Sequence, residues 1–132
     1  MQFCKCEICG KIVAMVKAGV PDTLCCGEPM AELIPNTSDG AGEKHVPVAM
    51  LEGGVLTVKV GAVAHPMVDA HHIEWIAVET TLGNQRKELD PLGKPEAEFA
   101  LLPGEKVKAV YEYCNLHGLW KYECEECKII AV

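Results

Sequence analysis

The first 36 residues carry five of the chain's eight cysteines and few large apolar side chains, an imbalance that constrains the fold more than any other feature. A piece this small cannot bury enough apolar surface to stand on a hydrophobic core, so it needs a metal or a cross-link to fold. Cys6-Glu7-Ile8-Cys9-Gly10 is a C-x-x-C closed by glycine, a turn whose backbone amides face a bound sulfur. Cys25-Cys26-Gly27 completes the set, among two strand-like runs, Lys11 to Val16 and Ala31 to Ile34. Four thiolates, on Cys6, Cys9, Cys25 and Cys26, make a tetrahedral S4 site that holds zinc or a single iron. Spacing leaves the metal undecided, and the adjacency of Cys25 and Cys26 points to a distorted site. Cys4 lies too close to Cys6 to begin an independent half-site and reads as a spare surface thiol.

Ligation is favoured over a disulfide framework by the N-terminus, Met1-Gln2-Phe3-Cys4-Lys5-Cys6, which has no basic stretch followed by an apolar run. The chain therefore reads as cytoplasmic, where thiols stay reduced. No apolar run approaches the length of a membrane span. A net charge of −7, with Arg86 the lone arginine and no lysine cluster, argues against a nucleic-acid backbone as partner. It also opposes the approach of any small anion, so an anionic substrate would need a local positive feature.

Pro35 to Gly42 is small, polar and turn-rich and reads as a linker at a domain boundary. Beyond it, strand patterns cover Val46 to Leu51, Val55 to Val60, His71 to Thr80, Glu96 to Leu102, Lys106 to Tyr113 and Leu119 to Cys124. Turns are expected at Gly53-Gly54, around Gly83-Asn84 and at Pro103-Gly104. No long helix is demanded, and short alternating strands at this spacing make a β-sandwich the default.

Within that half, Cys114-Asn115-Leu116-His117-Gly118 sets a thiol and an imidazole three residues apart, and His45, His65 and His71 supply further imidazoles. One sulfur with four nitrogens suits iron, copper or zinc, and five protein ligands leave an octahedral metal one open position. Alternation along the strand from His71 would put His71, Ile73 and Trp75 on one face and His72 on the other, so only one of the two can face a metal. His71, on the Trp75 face and six residues from His65, is the candidate ligand, and His72 reads as exposed. Glu43 and Lys44, immediately before His45, become candidates for gating and charge attraction. Cys124-Glu125-Glu126-Cys127 reads as an incidental or redox-labile pair ahead of a further metal site.

Assembled, these residues resemble the desulfoferrodoxins, the two-iron form of superoxide reductase, over nearly the whole chain. The matching motifs are Cys6-x-x-Cys9, Cys25-Cys26-Gly27-Glu28-Pro29-Met30, Asp39-Gly40, Glu43-Lys44-His45-Val46-Pro47, His65-Pro66-Met67 with His71, Ile73-Glu74-Trp75-Ile76, and Cys114 to Trp120. The resemblance implies a mainly β chain. Residues 1–36 would form a desulforedoxin-like domain with iron on Cys6, Cys9, Cys25 and Cys26, and residues 37–132 an immunoglobulin-like β-sandwich. The sandwich would hold a second iron on His45, His65, His71 and His117 in a plane with Cys114 axial. The implied reaction is superoxide, one electron and two protons giving hydrogen peroxide, with electrons from a rubredoxin-like donor to a homodimer. Lys44 would attract the anion, Glu43 would occupy the open side in the resting state, and the amides of Leu116 and His117 would bond the Cys114 sulfur. The alternative is a non-catalytic iron electron-transfer protein; a zinc hydrolase is disfavoured because five ligands exceed the usual catalytic zinc set.

Overall fold

A computed structural model describes residues 1–124 and 130–131, which fall into two compact units, Met1–Ile34 and Pro35–Val132. The chain is mainly β in both.

In the first unit, β1 (Gln2–Lys5) pairs antiparallel with β2 (Ile12–Met15). Two-residue strands β3 (Leu24–Cys25) and β4 (Glu28–Pro29) form a tight hairpin, and β5 (Ala31–Glu32) joins the free edge of β1. Burial is confined to Phe3, Cys4 and Cys6, whereas Val16, Val20 and Leu24 stand exposed, so the apolar content is spent without making a core. Cys4 is thus a buried strand residue and not the surface thiol its proximity to Cys6 suggested; its place in β1, missed because the strand is short and Cys-rich, turns it inward.

The second unit opens with a single helical turn, α1 (Gly42–His45). There follow β6 (Pro47–Glu52), β7 (Val55–Val60), β8 (Ile73–Thr80), β9 (Gly83–Glu88), β10 (Glu96–Ala100), β11 (Val107–Cys114), β12 (Gly118–Glu123) and β13 (Ile130–Ala131). They make two four-stranded sheets, ordered β10-β7-β6-β13 and β12-β11-β8-β9, antiparallel except for β6 against β13. Leu56, Val58, Val60 and Phe99 from one sheet meet Ile73, Ile76, Val78, Val110 and Cys114 from the other, and this interdigitated layer is the core of a sandwich. Cys114 therefore belongs to the core at one end of β11.

Three local differences from the sequence expectation have physical causes. Thr81 and Leu82 make the turn expected around Gly83-Asn84, and Gly83–Glu88 forms β9, a polar edge strand whose composition carries no alternation to read. A register shift between Tyr113 and Cys114 pairs Trp75 with Tyr113 but Ile73 with Cys114. That irregularity puts Ile73 in the core while Trp75 stacks on Tyr113, with ring centroids 5.7 Å apart, so the two do not share a face. The segment after Pro35, expected as a linker, is tied down. Asn36 exchanges bonds with β12 through its own amide to the Leu119 carbonyl (3.0 Å), its side-chain amide to the Lys121 carbonyl (3.1 Å) and the Lys121 amide to its Oδ1 (2.8 Å).

Leu56 is fully buried between the sheets. Leu56→Ala is expected to cost about 2–5 kcal/mol, from lost transfer energy and the cavity left behind. Chemical denaturation checks this, and a loss well under that range would mean the core collapses around the gap.

Candidate metal centre

Five donor side chains converge at one end of the sandwich: His45, His65, His71, Cys114 and His117. Their donor atoms all lie within 4.8 Å of one another. Each arrives from a different local device. His45 ends α1, and its Nδ1 lies 2.8 Å from the Ala41 carbonyl. His65 lies in the loop after β7, its Nδ1 2.7 Å from the Pro66 carbonyl. A carbonyl only accepts, so both Nδ1 atoms carry the proton and both Nε2 atoms present a bare lone pair to the cluster. His71 precedes β8, in a bridge with Val68 whose backbone bonds are both 3.0 Å. Cys114 closes β11, and His117 sits in the turn to β12.

The imidazoles form a square. Neighbouring ring centroids are 4.7 Å (His45–His65), 4.5 Å (His65–His71), 5.0 Å (His71–His117) and 4.8 Å (His45–His117), and each pair is close to perpendicular. The diagonal pair His45–His71 is 6.3 Å apart. His45 Nε2 is 3.2 Å from His65 Nε2 and 3.0 Å from His117 Nδ1. Metal–nitrogen bonds of about 2.1 Å would set adjacent corners of such a square roughly 3.0 Å apart. The Cys114 sulfur lies 3.5 Å from His65 Nε2 and 3.8 Å from His117 Nδ1.

Electrostatics matches a cation in the middle. Burial pushes His65 down to about 4 and lowers His45 and His71, so all three are neutral at pH 7 and available as ligands. Among the described residues His71 Nε2 is buried with no hydrogen-bond partner, the arrangement of a nitrogen left for a metal. The Cys114 thiol is raised by burial and lowered by bonds from the amides of His117 and Leu116. A metal would displace its proton. The donor set fits an iron, copper or zinc ion, with nitrogen dominating and one soft sulfur.

The first unit gathers Cys6, Cys9, Cys25 and Cys26, their sulfurs also within 4.8 Å of one another. Cys9 and Cys25 sulfurs are 3.6 Å apart and those of Cys25 and Cys26 4.0 Å. A tetrahedron with metal–sulfur bonds of about 2.3 Å has edges of roughly 3.8 Å. The Cys9 amide donates to the Cys6 sulfur at 3.5 Å, and this bond leads in holding the Cys6 thiol down at about 6. Bonds to Cys6 and Cys9 push Cys25 up to about 12, so the thiols resist ionising together without a cation. Cys26 adopts φ of 54°, the left-handed conformation that adjacency of two ligands imposes on the second.

The structure thus brings together every histidine and cysteine singled out as a ligand. His72 stands outside, half-buried, its Nδ1–H shared between the carbonyls of Val68 and Asp69 at 3.1 Å each. Glu43 and Lys44 are exposed on α1. Three contributors went unassigned in the sequence. Trp120 stacks on His45 at 4.9 Å and donates from its indole to the His117 carbonyl at 3.1 Å. Ser38 donates to that same carbonyl. Glu112 is fully buried on β11, its two carboxylate oxygens without partners among the described residues, and burial pushes it up to about 9. Its alternation with Val110 and Cys114 was the available signal for an inward carboxyl.

A sandwich carrying a His4Cys cluster, with a separate four-cysteine unit before it, defines a two-centre metal-binding protein. Residues 37–123 match the family model described as desulfoferrodoxin, and residues 1–33 that of the desulfoferrodoxin N-terminal domain. The chain belongs to the desulfoferrodoxin family. It is 50% identical over 119 residues to the desulfoferrodoxin of Nitratidesulfovibrio vulgaris, covering 90% of this chain and 93% of that one. It is 48% identical to a desulfoferrodoxin homolog of Archaeoglobus fulgidus, covering 92% and 95%. Among solved structures, the superoxide reductase from Treponema pallidum aligns with a TM-score of 0.77 and 38% identity, over 91% of this chain and 98% of that one.

Of the second C-x-x-C, Cys127 lies outside the described residues, but Cys124 packs against the core and burial pushes its thiol up to about 11. Relative to an ordinary value of 9.0, that cuts its thiolate at pH 8 by about 100-fold. Alkylation of Cys124, followed by peptide mass mapping, should be slower than that of a free thiol peptide by about that factor. Its rate should keep rising tenfold per pH unit past pH 9, where the free thiol levels off. Equal rates would restore a labile thiol.

Proposed function

We propose that the protein is a superoxide reductase, converting superoxide to hydrogen peroxide at an iron held by His45, His65, His71, His117 and Cys114. What carries this reading is the asymmetry of the donor set. Cys114 is wholly buried, whereas His71 and His117 are half-buried and Glu43 and Lys44, beside His45, are exposed, so the side away from the sulfur faces solvent. Iron held there would supply the single electron, and the Cys114 thiolate would donate electron density to it.

The chain's own residues do the rest. Lys44 provides the local positive charge that a chain of net charge −7 needs in order to admit a small anion. Its field reaches the ligands, since it contributes to lowering both His45 and His71. Glu43, on the same exposed turn, covers the open side in the oxidised resting protein and withdraws on reduction. The amides of Leu116 and His117 bond the Cys114 sulfur and set how much charge it donates. Cys6, Cys9, Cys25 and Cys26 would hold a second iron that passes electrons or holds the small unit together. Electrons come from a rubredoxin-like donor, and the chain acts as a cytoplasmic homodimer. No helix among the described residues is long and apolar enough to cross a membrane.

Metal analysis of anaerobically purified protein tests the assignment. Iron in both sites is expected; iron in one and zinc in the other keeps the reductase and makes the four-cysteine site structural, whereas zinc alone contradicts the reading. Lys44→Ala is expected to slow superoxide capture roughly fivefold at low ionic strength and little at high, because an exposed charge is screened within a Debye length. Pulsed generation of superoxide at several salt concentrations checks this, and an unchanged salt dependence would remove Lys44 from the mechanism.

A further inference from the structure

The turn that presents Glu43 and Lys44 cannot hold itself in place. α1 is four residues long, and its N-cap, Ala41, offers no side-chain hydrogen bond. A single uncapped turn fixes several backbone dihedrals for few bonds and is unstable alone. Its own bonds are Lys44 N–H to the Ala41 carbonyl (3.0 Å) and Val46 N–H to the Gly42 carbonyl (2.8 Å). Among the described residues, no salt bridge is formed by Glu43 or Lys44 to anchor it from the side-chain side.

What seats it is the loop after β7. Val63 N–H donates to the Glu43 carbonyl at 2.9 Å, and Gly61 N–H donates to the Val63 carbonyl at 3.3 Å, closing the loop beneath the turn. Gly61 lies so close that a Cβ built on it would come within 2.7 Å of the Glu43 carbonyl oxygen, 2.9 Å of the Lys44 carbonyl carbon and 3.0 Å of the Val46 carbonyl oxygen. All three neighbours are backbone, so no flexible side chain can swing away, and any larger residue must push the turn itself. The same loop fixes His65, whose N–H donates to the Val60 carbonyl at 2.9 Å.

The His45 ring resists following the push. It stacks on Trp120, and Gly40 closes on the pair from the other side, where an added Cβ would meet His45 at 3.2 Å and Trp120 at 3.3 Å. Displacement therefore falls on the exposed Glu43–Lys44 peptide. We propose that Gly61 is a positioning residue: by admitting the backbone of α1 at van der Waals distance, it sets where Lys44 stands relative to the ligand cluster, and so how strongly small anions are drawn to the open side. This inference rests on the proposed function for its biological purpose, but its test does not require superoxide.

The full chain loaded with cobalt(II) is titrated with azide, read by the cobalt visible spectrum, at low and high ionic strength. In the unsubstituted protein azide should bind more weakly as salt rises. Lys44→Ala and Gly61→Ala should each weaken binding roughly three- to tenfold at low salt and flatten the salt dependence. The double variant should bind no more weakly than either single one, because both remove the same charge from the same place. A merely structural glycine would lower stability and metal content without touching the salt dependence. If Gly61→Ala does not load metal, Val63→Pro, which removes the N–H donated to Glu43 and fixes the loop backbone at that residue, carries the same expectation. Azide affinity and salt dependence unchanged in these variants, effects of Lys44 and Gly61 that add, or binding in the unsubstituted protein that ignores salt would each overturn the proposal. Loss of superoxide reduction with the azide pattern intact would overturn the functional reading and leave the seat standing.

Discussion

The structure depends on how its imidazoles are held: backbone carbonyls take the outward Nδ1–H of His45 and His65, leaving each Nε2 aimed inward without a proton. Five donor atoms converge on one point, and the bare Nε2 atoms of His45 and His65 face each other at 3.2 Å with no proton between them, an arrangement that costs free energy while it stays unpaired. A cation resolves it. The orphaned Nε2 of His71 and the lowered affinity of these rings for protons are the same fact seen through hydrogen bonding and through charge.

The sandwich makes this arrangement rigid on one side and open on the other. Cys114 is at once a core residue, packed with Ile73 and Val110, and one of the five converging donors, so its sulfur cannot move without disturbing the layer between the sheets. The opposite side is built from a single exposed turn and a loop. Rigidity and exposure are thus separated in space, with the Cys114 donor anchored in the core and the exposed charges on the part least committed to it. The buried Glu112 is the exception. It sits on the same strand as Cys114, and burial, which pushes its carboxyl up to about 9, is also the main cause that raises the Cys114 thiol.

Much of this was legible in the sequence because ligands need particular atoms, and those atoms have few substitutes. The C-x-x-C, the Cys25-Cys26 pair and the Cys114–His117 spacing exposed the donor sets directly, and β7 was delimited by period-two alternation between a glycine turn and a glycine. Positions that depend on backbone irregularity were not legible. The register shift at Cys114 broke the expected face shared by Ile73 and Trp75, and β9, polar throughout, offered no pattern. Asn36 turned an apparent linker into an edge pairing with β12, using a side chain to mimic a strand. Gly40 and Gly61 were two glycines among twelve until the atoms crowding them were known.

The central claim is that the open side of the His4Cys cluster reduces superoxide and does not disproportionate it. The direct test is product stoichiometry when the anaerobically reduced protein meets a pulse of superoxide smaller than the number of sites. One hydrogen peroxide is expected for each superoxide consumed, and no dioxygen. Dioxygen evolved in proportion to peroxide, or superoxide decaying no faster than it does without protein, would contradict it.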